Sequence, residues 1–442
     1  MKYYIYPKGK NGILLADVIS QIHPNIEIDF IDDNNTESSI ENYAKKRTND
    51  LILIASTQYK LNIIEKLESL NIKNYIDGLS LYGKELNKFI ISNKKLDKKP
   101  IAFLLRGLAN EKHLSKLDMS LEEYGYEILY ICENKKVLEL NKKRLRNKLI
   151  IISGHELLSY LTEISLFVTT NGGITNSKVK SFDVRHAFCE PLHFPYLNPE
   201  NYQIILDKYM NNVDYICTSC TNTFEVMNMN LKYLINKPIL LKAGSLSLDR
   251  YIKLVNENKG NFEVKNKVIV AIKDVFNKKD IIKLSKLLIS KNLKVIFRTH
   301  PDFFTSLDSL EISEYFKNEK NFVFDKNSEM SIKDRMESLT LITDYSSLGY
   351  TYPLSTLKFS IIYNPFKEEK KIHGYSFFDE NIHLKANTID DIVSNIENIR
   401  EHQEENIKKI KKYREKCVFN LEKSEEFILN QIIGILKKHE SN

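Results

Sequence analysis

The chain has 442 residues, of which 42% are hydrophobic and 28% are charged, so its composition is that of a globular protein and excludes a largely disordered one. Lys and Arg outnumber Asp and Glu by 65 to 58, and the net charge of +7 comes from interspersed residues. This weak basic excess favours acidic ligands or an anionic membrane surface. The lack of a basic stripe with interleaved aromatic residues argues against nucleic acid as a partner.

The number of cysteines and the lengths of the apolar runs indicate in which cellular compartment the protein is found. Five cysteines, an odd number, argue against a disulfide framework and favour a reducing cytoplasm. Cys217 and Cys220 form a C-x-x-C, but no second pair lies nearby to complete a zinc site, so we expect no metal. The amino terminus lacks a signal-peptide pattern, and no uncharged apolar run reaches the roughly 18–20 residues that span a bilayer. We therefore predict a cytoplasmic protein with at most peripheral membrane contact.

Residues 1–92 predict a small Rossmann-like β/α domain. A chain this long exceeds what one hydrophobic core usually organises, so several domains are expected. Three strand-like runs follow one another at βαβ spacing, which indicates a parallel sheet: residues 3–6, 26–33 and 51–55. The turn from Gly9 to Gly12 lacks the third glycine of a dinucleotide fingerprint. We interpret this domain as a structural or interaction domain rather than a second nucleotide site.

A charged run that ends at Pro100 is typical of a linker, and residues 100–255 predict a second α/β domain. Its strand-like runs alternate with helical segments: residues 101–105, 126–130, 149–152, 166–169 and 215–218. Residues 262–390 predict a third α/β domain. Residues 391–442 are helical in pattern, with lysines between apolar positions; this basic face is expected to be solvated, with contact to phospholipid as the alternative.

The first chemical motif lies in the third domain, directly after a buried strand predicted at residues 293–297. It reads Arg298-Thr299-His300-Pro301. Side chains at the carboxyl end of a parallel strand face the ligand crevice of an open α/β sheet. We therefore predict that Arg298 and His300 line a site for an anionic group.

The second motif follows another apolar run, at residues 339–342. It reads Thr343-Asp344-Tyr345-Ser346-Ser347. The paired serines would begin the next helix, where backbone N–H groups lack intrahelical partners and a phosphate is favoured. Together the two motifs predict a pocket for a nucleotide phosphate.

A third candidate is His186, in the apolar segment Asp183-Val184-Arg185-His186-Ala187-Phe188 of the second domain. Two α/β domains that face each other would create a cleft into which His186 projects. A lone histidine in an apolar setting is also commonly structural, and spacing alone leaves both interpretations open.

A series of landmarks occurs in the order found in the CDP-glycerol glycerophosphotransferases of teichoic acid and capsule biosynthesis, and the chain resembles that family over about residues 100–400. The landmarks are the His186 segment, which is similar to the family's Trp-His-Gly motif, residues 214–219, residues 244–249 and the two motifs after the predicted strands.

The resemblance implies an α/β GT-B fold, with two facing Rossmann-like domains preceded by the small domain and closed by helices. It implies that His186 is the general base for an acceptor hydroxyl and that His300 assists departure of the nucleotide. The donor would be bound by Arg298, Thr343, Asp344, Ser346 and Ser347, and the cleft would include Gly244 and Asp249. No cofactor is implied, because Arg298, His300 and backbone N–H groups supply positive potential in place of a metal.

The partners implied are a cytidine-nucleotide donor and a polysaccharide or lipid-linked glycan acceptor, with release of CMP. The chain departs from the family where Arg185 and Ala187 replace Trp and Gly, and where residues 271–274 replace a Pro-Thr pair. A GT-B glycosyltransferase that uses a CMP-sugar, of sialic acid or Kdo type, or another nucleotide-sugar is therefore an alternative, as is a non-catalytic sugar-nucleotide-binding subunit.

Overall fold

The computed structural model describes residues 2–46, 50–106, 113–142, 145–272, 278–300, 303–327 and 329–440. They form largely parallel β-sheets flanked by helices, and a short antiparallel pair of strands at residues 371–376. The chain divides into two units. Unit 1 comprises Met1–Asp183, Asn212–Tyr215 and Gln431–Asn442, and unit 2 comprises Val184–Asn211 and Ile216–Asn430. The bounds of the four domains predicted from the sequence stay predictions.

The strands are β1 Lys2–Tyr6, β2 Glu27–Phe30, β3 Leu51–Ile54, β4 Tyr75–Asp77, β5 Ile101–Leu105, β6 Ile128–Cys132, β7 Leu149–Ile152, β8 Leu166–Thr169, β9 Ser181–Asp183, β10 Tyr215–Thr218, β11 Ile239–Lys242, β12 Lys267–Ala271, β13 Lys294–Phe297, β14 Phe322–Phe324, β15 Thr340–Thr343, β16 Ser360–Tyr363, β17 Lys371–Ile372, β18 Tyr375–Ser376 and β19 His383–Ala386.

The helices are α1 Lys10–Ile22, α2 Ile40–Lys46, α3 Lys60–Ser69, α4 Gly78–Asn93, α5 Leu117–Glu123, α6 Lys135–Asn141, α7 His155–Leu158, α8 Phe194–Leu197, α9 Tyr202–Asn211, α10 Thr221–Asn230, α11 Leu246–Glu257, α12 Lys278–Ser290, α13 Leu307–Tyr315, α14 Ile332–Glu337, α15 Leu348–Thr356, α16 Ile389–Glu401, α17 Gln403–Cys417 and α18 Ser424–Glu440. Short 3-10 turns cover Thr36–Ser38 and Leu231–Tyr233. Within the described residues, no helix combines the length and the apolarity that a membrane crossing requires.

In unit 1, two parallel sheets share one hydrophobic core. The first has the strand order β2-β1-β3-β4, and strands of the second run in the order β9-β8-β5-β6-β7. Leu15 of α1 and Leu86 of α4 pack in the same buried cluster as Leu104 and Ile131 of the second sheet. The Gln21 side chain accepts a hydrogen bond from Ile152 N (2.8 Å), which ties α1 to β7. The first 92 residues are thus packed on the second sheet through their own helices.

Unit 2 contains a six-stranded sheet in the order β14-β13-β12-β15-β16-β19, and every neighbouring pair in it is parallel. Numbered along this sheet, the order is 3-2-1-4-5-6, that of a doubly wound Rossmann sheet. Strand β15 is buried along its whole length, as is expected for a sheet covered by helices on both faces. The chain reverses its direction of winding between β12 and β15, and ligands of such sheets bind outside the carboxyl ends of the strands at that point.

The segment between α17 and α18 crosses back over other parts of unit 2. Val418 forms an antiparallel bridge with Cys220, and Phe419 N donates to Ser219 O over 3.1 Å. The Phe419 ring meets the edge of Phe224, with centroids 6.2 Å apart. The C-terminal helices are therefore joined to the segment around residues 218–224 by main-chain hydrogen bonds as well as by packing.

Candidate functional site

Both sequence motifs of the third predicted domain lie at the carboxyl edge of the six-stranded sheet. Arg298 directly follows β13, and Asp344 directly follows β15. These two strands flank β12 on either side. The motifs therefore lie on both sides of the switch point, where a doubly wound sheet binds its ligands.

Arg298 is buried, and its charge is already compensated. It is 5% exposed and forms an ion pair with Asp325, which follows β14 and is similarly buried. A second guanidinium nitrogen donates to Asn327 O over 3.2 Å. Asp325 was not predicted from the sequence, since nothing local to Arg298 indicates a partner 27 residues away. Direct contact between Arg298 and the donor stays a prediction.

His300 is exposed at the end of the same loop. Its carbonyl accepts a hydrogen bond from Phe303 N (2.8 Å), and the Phe303 ring meets the imidazole edge with centroids 6.4 Å apart. Pro301 lies outside the described residues. The Thr299 hydroxyl oxygen is buried and has no hydrogen-bond partner among the described residues. A buried hydroxyl without a partner is uncommon, so the Thr299 hydroxyl can still form a hydrogen bond with a ligand.

Thr343 and Asp344 lie inside the protein. The Thr343 hydroxyl donates to Ala271 O over 2.7 Å, which links β15 to β12 across the switch point. Asp344 is 2% exposed. Both residues are buried at the carboxyl edge of the sheet. Their contact with the donor stays a prediction.

Ser346 and Ser347 precede α15, as the sequence predicts. The Ser346 hydroxyl accepts from Leu348 N over 3.3 Å, which is a local turn bond at the helix start. The Ser347 hydroxyl instead accepts from Phe188 N over 3.1 Å, 159 residues away in sequence. Ser347 thus connects the start of α15 to the segment that contains His186.

His186 lies beside a buried carboxylate. Its Nδ1 is 3.1 Å from Glu190 Oε1, and Arg185 Nη2 is 3.2 Å from Glu190 Oε2. Burial raises the pKa of Glu190, but the interactions with His186 and Arg185 outweigh burial and hold this pKa well below its usual range. The His186 side chain is 38% exposed, whereas Glu190 is 7% exposed. Glu190 was not predicted from the sequence, although its i+4 spacing from His186 was a local signal.

Aromatic stacking strengthens the contact between the His186 segment and α15. The Tyr196 and Tyr345 rings stack with centroids 3.7 Å apart, and Phe188 stacks on Tyr350 at 5.6 Å. Tyr196 lies in α8 and Tyr345 in the second motif. Two stacked pairs and the bond from Phe188 N to Ser347 therefore bring the predicted base and the predicted phosphate-binding serines to neighbouring segments of unit 2.

Gly244 and Asp249 hold the C-terminal segment. Gly244 has φ +88°, and a Cβ there would clash with Phe419 O and Ser424 Oγ. The Asp249 carboxylate accepts from Ser424 N (2.8 Å) and Glu422 N (2.9 Å), and burial raises its pKa. These contacts give both residues a structural role that spacing alone did not indicate. Their predicted position in the cleft stays a prediction.

The C-x-x-C pair consists of buried thiols. Neither Cys217 nor Cys220 is in a disulfide, and burial raises the pKa of Cys220 to about 11. Across the part of the chain that the structure describes, no group of three or more His, Cys, Asp or Glu side chains is arranged to hold a metal ion. Independence from metals stays a prediction.

Comparisons with known proteins support the resemblance. Residues 271–434 match the family model of CDP-Glycerol:Poly(glycerophosphate) glycerophosphotransferase, and no curated protein matches the chain. A structure of the wall teichoic acid polymerase TagF is similar, with a TM-score of 0.54 at 14% identity over 86% of this chain and 98% of that chain. UDP-N-acetylglucosamine 2-epimerase from Rickettsia bellii is similar with a TM-score of 0.52 at 14% identity, over 77% and 96% of the two chains. At such identities the likeness shows the fold alone, and the predicted GT-B fold class is confirmed.

Proposed function

We propose that the protein transfers glycerophosphate or a similar polyol-phosphate from a CDP-activated donor to a glycan hydroxyl, with release of CMP. The match of residues 271–434 to the glycerophosphotransferase family model supports this proposal. The observation on which this proposal rests is the contact between the His186 segment and the start of α15. His186, which is paired with the Glu190 carboxylate, lies in a segment that contacts the first residues of α15. The start of a helix is a favourable position for a phosphate.

The donor phosphates bind, in this proposal, at the carboxyl edge of the six-stranded sheet. The start of α15 contributes the Ser346 and Ser347 hydroxyls and the positive end of the helix dipole. His300 is exposed on the other side of β12 and supplies a donor for the leaving phosphate. Arg298 contributes indirectly, because its buried ion pair with Asp325 fixes the turn after β13 that leads to His300. Thr343 holds the end of β15 through its bond to Ala271 O, and Asp344 lies buried beside it, next to the segment from which the serines extend.

The reaction requires one proton transfer and one displacement. His186 accepts the proton of the acceptor hydroxyl, whose oxygen then attacks the phosphorus that bears the glycerol group. The phosphoanhydride bond breaks, and its electron pair leaves on the phosphate of CMP, which His300 and the start of α15 stabilise. A positioned general base contributes on the order of 10²–10⁴-fold to such a rate.

Donor selection is the test of this proposal. We expect CDP-glycerol, among CMP-sugars, UDP-sugars and GDP-sugars, to raise the melting temperature most, because a bound ligand stabilises the folded state by mass action. Ser346→Ala should reduce that shift, whereas Ser290→Ala, at the exposed end of α12, is the matched control and should leave it unchanged. A larger shift with CMP-sugars would support the glycosyltransferase alternative, and no response to any nucleotide would contradict a donor site.

The acceptor and the place of reaction belong to the same proposal. We propose a polysaccharide or lipid-linked glycan acceptor that the protein meets in the cytoplasm, at the inner face of the membrane. Helix α17 supports contact with anionic lipid, since only Ile410 and Tyr413 among its residues are buried and its five lysines are exposed and lie beyond the acidic first turn. Cosedimentation with vesicles that contain anionic lipid, lost at high salt and absent with neutral vesicles, is the expected result. Equal binding to both kinds of vesicle would contradict it.

A further inference from the structure

Glu190 is a buried carboxylate between the side chains of His186 and Arg185. Its two oxygens lie 3.1 Å from His186 Nδ1 and 3.2 Å from Arg185 Nη2. Only 3% of the Arg185 side chain is exposed, and its guanidinium lies over the Tyr209 ring of α9 at 4.6 Å from the centroid. The arginine is thus fixed on both sides, and Glu190 in turn is fixed by the arginine.

Glu190 has more partners than are needed to compensate its buried charge. Arg185 alone would compensate the charge of Glu190, yet the second carboxylate oxygen is directed to a histidine that is partly exposed. Two further titratable groups lie near the Glu190 carboxylate. His193 lowers the pKa of Glu190, and the Cys189 thiol is 3.2 Å from His193 Nδ1. Cys189 and His193 are themselves buried, so the carboxylate has charged and titratable neighbours inside the protein besides Arg185 and His186.

The backbone around His186 is held from two directions. Arg185 has φ +68°, a left-handed conformation that a non-glycine residue adopts only when its surroundings impose it. On the other side of His186, Phe188 N donates to the Ser347 hydroxyl. The imidazole is therefore placed by the fold, and Glu190 determines which ring nitrogen faces the protein.

We propose that Glu190 is a positioning residue for His186: it holds Nδ1, so that Nε2 is the nitrogen that accepts the proton of the acceptor hydroxyl, and Arg185 keeps the carboxylate ionised. This role rests on the proposed function. The carboxylate orients the ring and stabilises the imidazolium that forms when the proton is transferred, without itself accepting a proton.

Kinetics of Glu190→Gln provide the first test. We expect kcat to fall by about 10- to 100-fold, with the KM for CDP-glycerol changed less than about twofold, because the donor site is intact. The acid limb of the pH profile of kcat/KM should move to lower pH, since loss of the adjacent negative charge makes the imidazolium easier to deprotonate. Glu190→Asp keeps the charge at shorter reach and should lower kcat while the acid limb stays in place. Glu200→Gln, on an exposed neighbour, is the matched control.

A second readout does not depend on turnover. In NMR titrations assigned with His186→Gln, the His186 ring of the wild type should titrate at a pH about one unit or more above that of Glu190→Gln. Equal titration in the two folded proteins, or an unmoved acid limb in Glu190→Gln, would overturn the positioning role. A retained NMR difference in a wild type that turns over no CDP-glycerol would support the pairing and contradict the proposed function, so the two failures are distinct.

Discussion

Ser347 connects the two chemical parts of the site at the scale of a single residue. A serine hydroxyl has one proton to donate and two lone pairs to accept with. Ser347 uses one lone pair for Phe188 N, and the proposed contact with a phosphate oxygen would use its proton. Among the described residues, the side chain of Ser346 has the local bond from Leu348 N as its one hydrogen bond. The two serines therefore have different tasks, although they are adjacent in one motif.

This difference predicts different kinetic effects. Ser346→Ala should raise the KM for CDP-glycerol by roughly 10-fold, because one hydrogen bond to a charged group is lost. Ser347→Ala should also lower kcat by roughly 10-fold, since the His186 segment loses its bond to α15. Steady-state kinetics on both variants decide this. Equal effects of the two substitutions on KM, with kcat unchanged in both, would contradict the connecting role of Ser347.

Arg298 has a buried ion pair with Asp325, whose loss can be separated from a loss of donor binding. Arg298→Ala leaves Asp325 as a buried charge without its partner, and we expect a loss of about 3–5 kcal/mol in the free energy of unfolding. The double variant Arg298→Ala/Asp325→Ala should be less destabilised than Arg298→Ala, and chemical denaturation measures both. Wild-type stability of Arg298→Ala together with weakened donor binding would instead make Arg298 a direct donor ligand.

At the scale of elements, the strands that position the site were predictable from the sequence, but the contacts between them were not. Apolar runs located β13 and β15 to within one residue, because strands buried on both faces are continuous in hydrophobicity. The bond from Phe188 to Ser347 and the pairing of Asp325 with Arg298 were not predictable, since neither has a local signature. Glu190 was predictable in principle, since it lies four residues after His186, but from the sequence alone the histidine was not paired with a carboxylate.

The turn at Gly244 joins α11 to the C-terminal segment. Gly244→Ala combines a positive φ with a clash against Phe419 O, so we expect roughly 2–5 kcal/mol of destabilisation. Gly260→Ala is the matched control: it has φ +90° with open space around its Cβ, and its cost should be limited to about 1 kcal/mol of backbone strain. Thermal unfolding compares them, and equal effects would contradict the role assigned to this turn.

His383 connects β19 to α15 beneath the site. The ring is 1% exposed, accepts from Asp379 N (3.0 Å) through Nδ1, and lies 3.0 Å from Gly349 O through Nε2. Burial lowers the pKa of His383 from 6.5 to about 4, so the folded state keeps the ring neutral while the unfolded chain binds a proton.

Stability should therefore be fully present above about pH 6.5 and decrease as the pH falls towards about 4. At about pH 5 this residue accounts for a loss of about 2 kcal/mol relative to about pH 8. Denaturation of His383→Gln at both pH values should show a correspondingly smaller loss, whereas His402→Gln, on an exposed histidine, should behave as the wild type. The same pH dependence in His383→Gln would refute this assignment.

At the scale of the whole molecule, residue pattern predicted the fold class better than the chemistry. The parallel sheets and the C-terminal helices follow from βαβ spacing and helical periodicity, and the GT-B likeness agrees with them. The packing of the first 92 residues onto the second sheet, through α1 and α4, depends on which helix faces are apolar in three dimensions. Substrate identity depends on pocket shape, which neither spacing nor fold provides.

Release of CMP from CDP-glycerol by the purified protein, with and without a glycan acceptor, tests the central claim most directly. We predict acceptor-dependent CMP release that falls by at least about 100-fold in both His186→Ala and His300→Ala, with donor binding retained in the first. CMP release that is unchanged in folded His186→Ala, or no release from CDP-glycerol while another nucleotide-sugar is turned over, would contradict it.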